Sequence, residues 1–142
     1  MVELPFGHEL IINNLLSAHN LYRQKARLPA LRLSARLNAA ALKHVAWMAD
    51  NRTLSHVGKN GLGVAERVEA EGYQYSYISE NISEDPTTER DAIAGWIDSP
   101  QQLANIIDKA FTEMGAACVI SISPDGRRKN YWCVVFANPE AH

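Results

Sequence analysis

Apolar residues recur at helical spacing through the opening of the chain. Leu10, Ile11, Leu15, Ala18, Leu21 and Tyr22 share one face with Asn14, which predicts a helix over 8–25. Leu28-Pro29-Ala30-Leu31 breaks it. Ser34 is placed to cap a second helix over about 35–52, with a stripe of Leu37, Ala41, Val45 and Met48 and with His44 and Trp47 at its edge. Gly58 to Gly63 read as a loop, and a short helix follows from Val64 to Ala70, ended by Gly72. Tyr73-Gln74-Tyr75-Ser76-Tyr77 alternates as a strand or extended arm does, and Glu80-Asn81-Ile82 continues it. Asp85 as cap and Pro86 in the first turn predict the start of a fourth helix, with Ile93, Trp96 and Ile97 facing inward. Ser99-Pro100-Gln101-Gln102 starts a fifth, where Ser99 and Gln102 fit a reciprocal capping box. The remainder reads as two strands, Ala117–Ile122 and Tyr131–Phe136, joined through Pro124-Asp125-Gly126.

Helices fill the first two thirds and strands the last third, so the fold class expected is α+β, in layers, and not a βαβ repeat. With 142 residues, 46% of them hydrophobic, the chain is expected to form one domain over 1–142 with its own core. The formal charge of −2 gives no basic excess for a nucleic-acid binder. Arg127-Arg128-Lys129 is the only basic run and reads as a solvated hairpin tip. No stretch has the length of an apolar membrane span. Met1–Pro5 lacks a charged segment followed by an apolar run, so the sequence as given carries no signal peptide. On this reading the protein either stays inside the cell or had a signal removed.

The two cysteines leave two readings. Cys118 and Cys133 lie symmetrically about Asp125-Gly126, so a symmetric two-residue turn would set them opposite one another within disulfide reach. The other reading is a pair of small buried thiols packed as hydrophobes. Neither lies beside a histidine or a helix start, so neither reads as an activated nucleophile. Ser55-His56 are neighbours in sequence, which rarely presents a nucleophile to its base. His8 and His142 lie near the ends of the chain and enter no motif.

The candidate chemistry lies in an ordered series. His19-Asn20 with Arg23 comes first, then Pro29-Ala30-Leu31, Leu54-Ser55-His56, Gly72-Tyr73 and Glu80-Asn81-Ile82. Trp96, Ser99-Pro100 and Ala104-Asn105-Ile106 follow, then Gly115 and Tyr131-Trp132 with Phe136. This series resembles the CAP superfamily of cysteine-rich secretory, antigen 5 and pathogenesis-related proteins, and most closely its small bacterial SCP-like members. The resemblance implies a three-layer α-β-α sandwich with an antiparallel sheet, and an extracellular or periplasmic location. It also implies a surface cavity lined by two histidines and one or two acidic residues, which in some members holds zinc or another divalent cation.

Carried over residue by residue, His56 matches the first histidine and Glu80 the first acidic position, and these two are the candidate metal ligands. Asp98 lies near the second acidic position. Gln102 stands where the second histidine is expected. An amide is a poor zinc ligand and no acid or base near neutral pH, so the replacement weakens a metal site. His56 and Glu80 are expected to pair, keeping the imidazole charged. The leading expectation is a non-enzymatic, secreted-type binding module whose cavity of His56, Glu80, Asp98 and Gln102 takes a small molecule, lipid or protein. The alternatives are a divalent-metal-dependent, peptidase-like hydrolase centred on His56 and Glu80, and a structural module with a vestigial cavity. His44 reads as core packing, and His19 with Arg23 as ties between the first helix and the rest.

Overall fold

The structure, a computed structural model, describes residues 1–141; His142 lies outside them. The elements run β1 (Val2–Glu3), α1 (His8–Lys25), β2 (Arg32–Leu33), α2 (Ala35–Asn51), α3 (Val64–Ala70), β3 (Tyr75–Glu84), α4 (Glu89–Ile97), α5 (Pro100–Ile106), β4 (Glu113–Ile122) and β5 (Arg128–Pro139). A 3-10 turn, Lys59–Gly61, precedes α3. The expected helices over 8–25 and 64–70 are found at those bounds, and Ser34 caps α2 by accepting the Leu37 amide.

The sheet order is β1-β4-β5-β3, antiparallel along this path, while β2 pairs with β4 in parallel over two residues. Successive side chains of β4 and β5 leave on opposite faces. Ala117, Val119, Tyr131, Cys133, Val135 and Ala137 pack with α2 and α3. Met114, Ala116, Cys118, Trp132, Val134 and Phe136 pack with residues of α1, α4 and α5. Helices cover both faces, which is why β4 and β5 read as nearly unbroken apolar runs and not as alternating ones. The result is an α-β-α sandwich. Gly115 sets the spacing of one layer: a Cβ there would lie 2.1 Å from the Leu37 carbonyl carbon, so only glycine lets α2 come this close to β4.

Two expectations are corrected. Asp85 does not cap α4. Its amide bonds to the Asn130 carbonyl of β5 and its φ is 91°, so the chain is still leaving the sheet there. Thr88 caps instead, accepting the Asp91 amide, and the Pro86 carbonyl accepts the Trp132 indole N–H. The opposed cysteines are corrected too. The β4–β5 loop is Ser123–Arg127, closed by Ser123 N–H to Arg127 O at 2.9 Å and Gly126 N–H to Ser123 O at 2.8 Å. An odd number of loop residues shifts the register by one from the symmetric two-residue turn. Cys118 therefore faces Trp132 across the ladder and Cys133 faces Ala117. The thiols lie on opposite faces of the sheet, both free and buried. Burial pushes the Cys118 thiol up to about 12.

Candidate functional site

Strand β3 is an edge of the sheet, and its outer side forms the floor of an open cleft of about 320 Å³. Ile78, Ser79, Glu80 and Asn81 all line it. Four consecutive residues can do so only if the strand presents its edge, because alternate side chains go to opposite faces. One wall is His56 with Val64 from the start of α3, and the other is Gln101, Gln102 and Asn105 of α5.

Glu80 is the electrostatic centre. Its carboxylate accepts from His56 Nδ1 at 2.9 Å, from Arg67 Nη1 at 2.6 Å and from Arg67 Nη2 at 3.0 Å. The Cys133 thiol donates to the same carboxylate at 3.4 Å. Arg67 Nη2 also donates to the His56 carbonyl at 2.8 Å, tying the loop to α3. Burial alone would raise the Glu80 pKa, but the bonds from His56 and Arg67, with the arginine charge, hold it below the usual carboxylate range. The Glu80 bond, against partial desolvation, raises the His56 pKa and favours imidazolium. The His56 side chain stays 61% exposed while that of Glu80 is 1% exposed. His44 lies behind the carboxylate, its Nε2 4.0 Å from Glu80 Oε1 and 2.6 Å from the Ser55 carbonyl, to which it donates. Desolvation lowers the His44 pKa, so this ring is neutral. It stacks on Trp47 within the core, as expected of a packed histidine.

The α5 wall is held by amides. Asn81 Nδ2 donates to the Gln102 carbonyl, Asn105 Nδ2 to Asn81 Oδ1, and Ser79 Oγ to Asn105 Oδ1. Ser99 Oγ accepts the Gln102 amide at 3.4 Å, which is one half of the expected capping box. The reciprocal half is absent: the Gln102 side chain donates to the Ile82 carbonyl at 3.2 Å and braces α5 against β3. Of the four residues expected to share the cavity, His56, Glu80 and Gln102 line one cleft. Asp98 ends α4, is exposed and does not line it.

These residues do not fit a zinc site. Both Glu80 oxygens are taken by cationic donors, one His56 nitrogen is spent on that carboxylate, and Gln102 supplies no imidazole. Among the described residues, no group of three or more His, Cys, Asp or Glu side chains is placed to hold a metal ion.

The model of the cysteine-rich secretory protein family, CAP, matches residues 16–136. The chain belongs to this family. Solved CAP-type folds agree with that assignment. An extracellular protein of Bacillus anthracis containing an SCP domain superposes with a TM-score of 0.80 at 19% identity, over 92% of this chain and 41% of the other. An outer surface protein of Borrelia burgdorferi gives 0.78 at 18% identity, over 90% and 92%. A cysteine-rich secretory protein of Staphylococcus aureus gives 0.72 at 14% identity, over 93% and 39%. This chain thus spans less than half of the Bacillus and Staphylococcus proteins. At such identities the likeness is one of fold. No curated protein matches by sequence.

Within this CAP domain, sequence reasoning missed Arg67 and Cys133 as partners of Glu80. Arg67 reads as one more charge on a short amphipathic helix, and only the packing of α3 against β3 turns it inward. Asn81 and Asn105 were visible inside the motif series, but their mutual bond depends on α5 meeting the strand edge.

Proposed function

We propose that the cleft around His56, Glu80 and Gln102 is a ligand-binding site of a non-enzymatic CAP domain, one such domain spanning 1–142. The observation that carries this reading is the saturation of Glu80. A carboxylate bound by Arg67 through two nitrogens, by His56 through a third and by the Cys133 thiol has a depressed pKa and no free lone pair aimed at substrate. It is therefore a weak general base. The same engagement, with Gln102 donating to Ile82, argues against the metal-dependent hydrolase. What the arrangement does offer is an exposed imidazolium, held by its bond to Glu80, beside an open strand edge. A purely structural role does not need His56 to project into solvent, because Arg67 alone neutralises Glu80.

The Bacillus and Borrelia proteins are described as extracellular and outer surface proteins, and we propose an extracellular or periplasmic location for this chain on that basis. Among the described residues no helix is long and apolar enough to cross a membrane.

Calorimetric titration with zinc, on the wild type and on His56→Ala, tests the choice between binding module and metal enzyme. The expected result is no saturable zinc binding in either. Micromolar zinc affinity that vanishes in His56→Ala, with ester or peptide hydrolysis abolished by a chelator, would overturn the proposal. Titration with lipid vesicles, sterols and short peptides then tests the cleft itself. Binding of one of these classes that weakens in His56→Ala, with the fold retained, is the supporting outcome. No binding in any class leaves the structural module.

A further inference from the structure

The pairing of β3 fixes which of its backbone groups point into the cleft. In an antiparallel ladder, alternate residues turn their N–H and C=O groups toward and away from the neighbour. The Asp85 amide bonds to the Asn130 carbonyl of β5, so residue 85 faces inward, and with it Ser83, Asn81 and Ser79. The intervening residues Ile82, Glu80 and Ile78 face outward. The Ile82 carbonyl confirms this parity, since it accepts the Trp96 indole at 3.1 Å and the Gln102 amide at 3.2 Å, both from the helices beyond the edge. The far side of β5 agrees: the Ala137 carbonyl bonds to the Thr112 amide on the β4 side, and Ala137 stands opposite Ile78, an outward residue of β3.

Helix α5 thus covers the edge at Ile82. At Glu80 and Ile78 no such cover exists. Among the described residues, no bond from α3, α5 or the His56 loop reaches the outward N–H or C=O of either residue. These groups lie on the floor of the cleft, two residues apart along the strand. A β-bulge between Tyr75 and Tyr77 ends this regular stretch on the other side.

Resting on the binding reading above, we infer that the cleft takes an extended peptide that pairs with the β3 edge at Ile78 and Glu80, with an acidic side chain set against His56. The unpaired donors and acceptors of an edge strand are a template for one more strand, supplying affinity through the main chain. Walls on either side restrict what can pair there. The charge argues for the acidic residue. Arg67 cancels Glu80, so the imidazolium of His56 is left over, with Nδ1 spent on Glu80 and the side chain 61% exposed. The opposite wall presents the exposed amide of Gln101 and calls for a polar side chain on that face.

The test selects peptides from a randomised phage-displayed decapeptide library on the wild-type protein, then methylates each backbone nitrogen of a selected peptide in turn. Strand addition predicts about tenfold weaker binding at every second position of the paired stretch and little change between them. It also predicts loss in Ile78→Pro, which removes one outward N–H while leaving the β5 ladder intact, against retention in Ile78→Ala, which keeps it. Selected peptides should carry Asp or Glu at one fixed position and bind more weakly once His56 is deprotonated. Selection of no peptide, or a methylation scan without the two-residue period, would overturn the inference. Peptides that lose affinity in His56→Ala but not in Ile78→Pro would overturn strand addition alone and leave the cleft as a binding site.

Discussion

Two regions of this domain each pair a histidine with a buried arginine, and they treat the histidine in opposite ways. On the α1 side, His19 and Arg23 are both buried. Arg23 donates to the carbonyls of Pro29, Ile106, Asp108 and Phe111, and among the described residues no carboxylate oxygen contacts it. His19 donates from Nδ1 to the Leu15 carbonyl at 2.6 Å. Desolvation, only partly offset by that bond and reinforced by the Arg23 charge, lowers its pKa to about 4. On the α2–α3 side, Glu80 stands between His56 and Arg67, and the His56 pKa rises. One carboxylate and an open cleft reverse the sign. The first region is closed by neutral carbonyls and works as a clamp between α1 and the segment before β4. The second keeps a charge at the surface.

The most direct way to break the contrast is to remove an arginine from the charged region. Arg67→Met leaves Glu80 buried with only His56 as a charged partner in direct contact. Breaking one side of a buried ion pair costs about 3–5 kcal/mol. Urea denaturation at neutral pH should show that loss, and the histidine signal of His56 should shift in the same variant. A loss under about 1 kcal/mol would mean that Glu80 takes up its proton or finds water, and that the pair is weaker than its geometry implies.

Acid should unsettle the clamp. A histidine whose folded pKa lies below its unfolded value binds its proton preferentially in the unfolded chain. Its stability contribution is therefore lost as pH falls from 6.5 toward about 4. The full difference corresponds to about 3 kcal/mol. Stability measured by denaturation between pH 7 and 4 should fall, and His19→Gln should flatten that part of the profile. NMR titration supplies the control: the His19 ring should stay neutral through pH 5 while His56 is already charged.

Much of this was legible in the chain, and the pattern of what was not is instructive. The helix bounds at 8–25 follow from periodicity and the Leu28-Pro29 break, and those at 64–70 from the Gly72 stop, which are local signals. Arg23 could be read as a tie because it shares a helix face with His19 and Asn20. The cysteine register could not be read, since one extra loop residue between Ile122 and Arg128 moves every β5 side chain to the other face. Arg67 was invisible for a related reason. Its partner lies 13 residues away on another element, and no spacing rule connects a short helix to a strand edge. The cleft's polarity came from the motif series, but its floor of outward backbone groups came only from the ladder.

Helix α5 joins the two regions. Its Ile106 carbonyl is held by Arg23, and its Gln102 side chain is held on β3. Ser99→Ala removes the cap that starts it and should cost about 1 kcal/mol. Amide hydrogen exchange would sharpen the comparison, because the loosening should appear at the Gln102 end and fade toward Ile106. Equal loosening at both ends would mean that Arg23 does not clamp α5.

The smallest expected effect concerns His56 itself. Its folded pKa is raised, so its pairing with Glu80 stabilises the protein fully below pH 6.5 and that contribution is lost as pH rises through the folded pKa. Glu80 runs the other way. Its depressed pKa gives stability present above the unfolded carboxylate value and lost as pH falls through the folded one. The pair is therefore at its strongest between the acidic titration of Glu80 and the raised titration of His56. Because the imidazole is more than half exposed, solvent screening keeps the His56 share to about 0.5 kcal/mol. Wild-type stability should decline slightly from pH 6 to 8, and His56→Ala should abolish the decline without unfolding the domain. A decline that persists in the variant would assign the titration to another group and leave His56 free of Glu80 in solution.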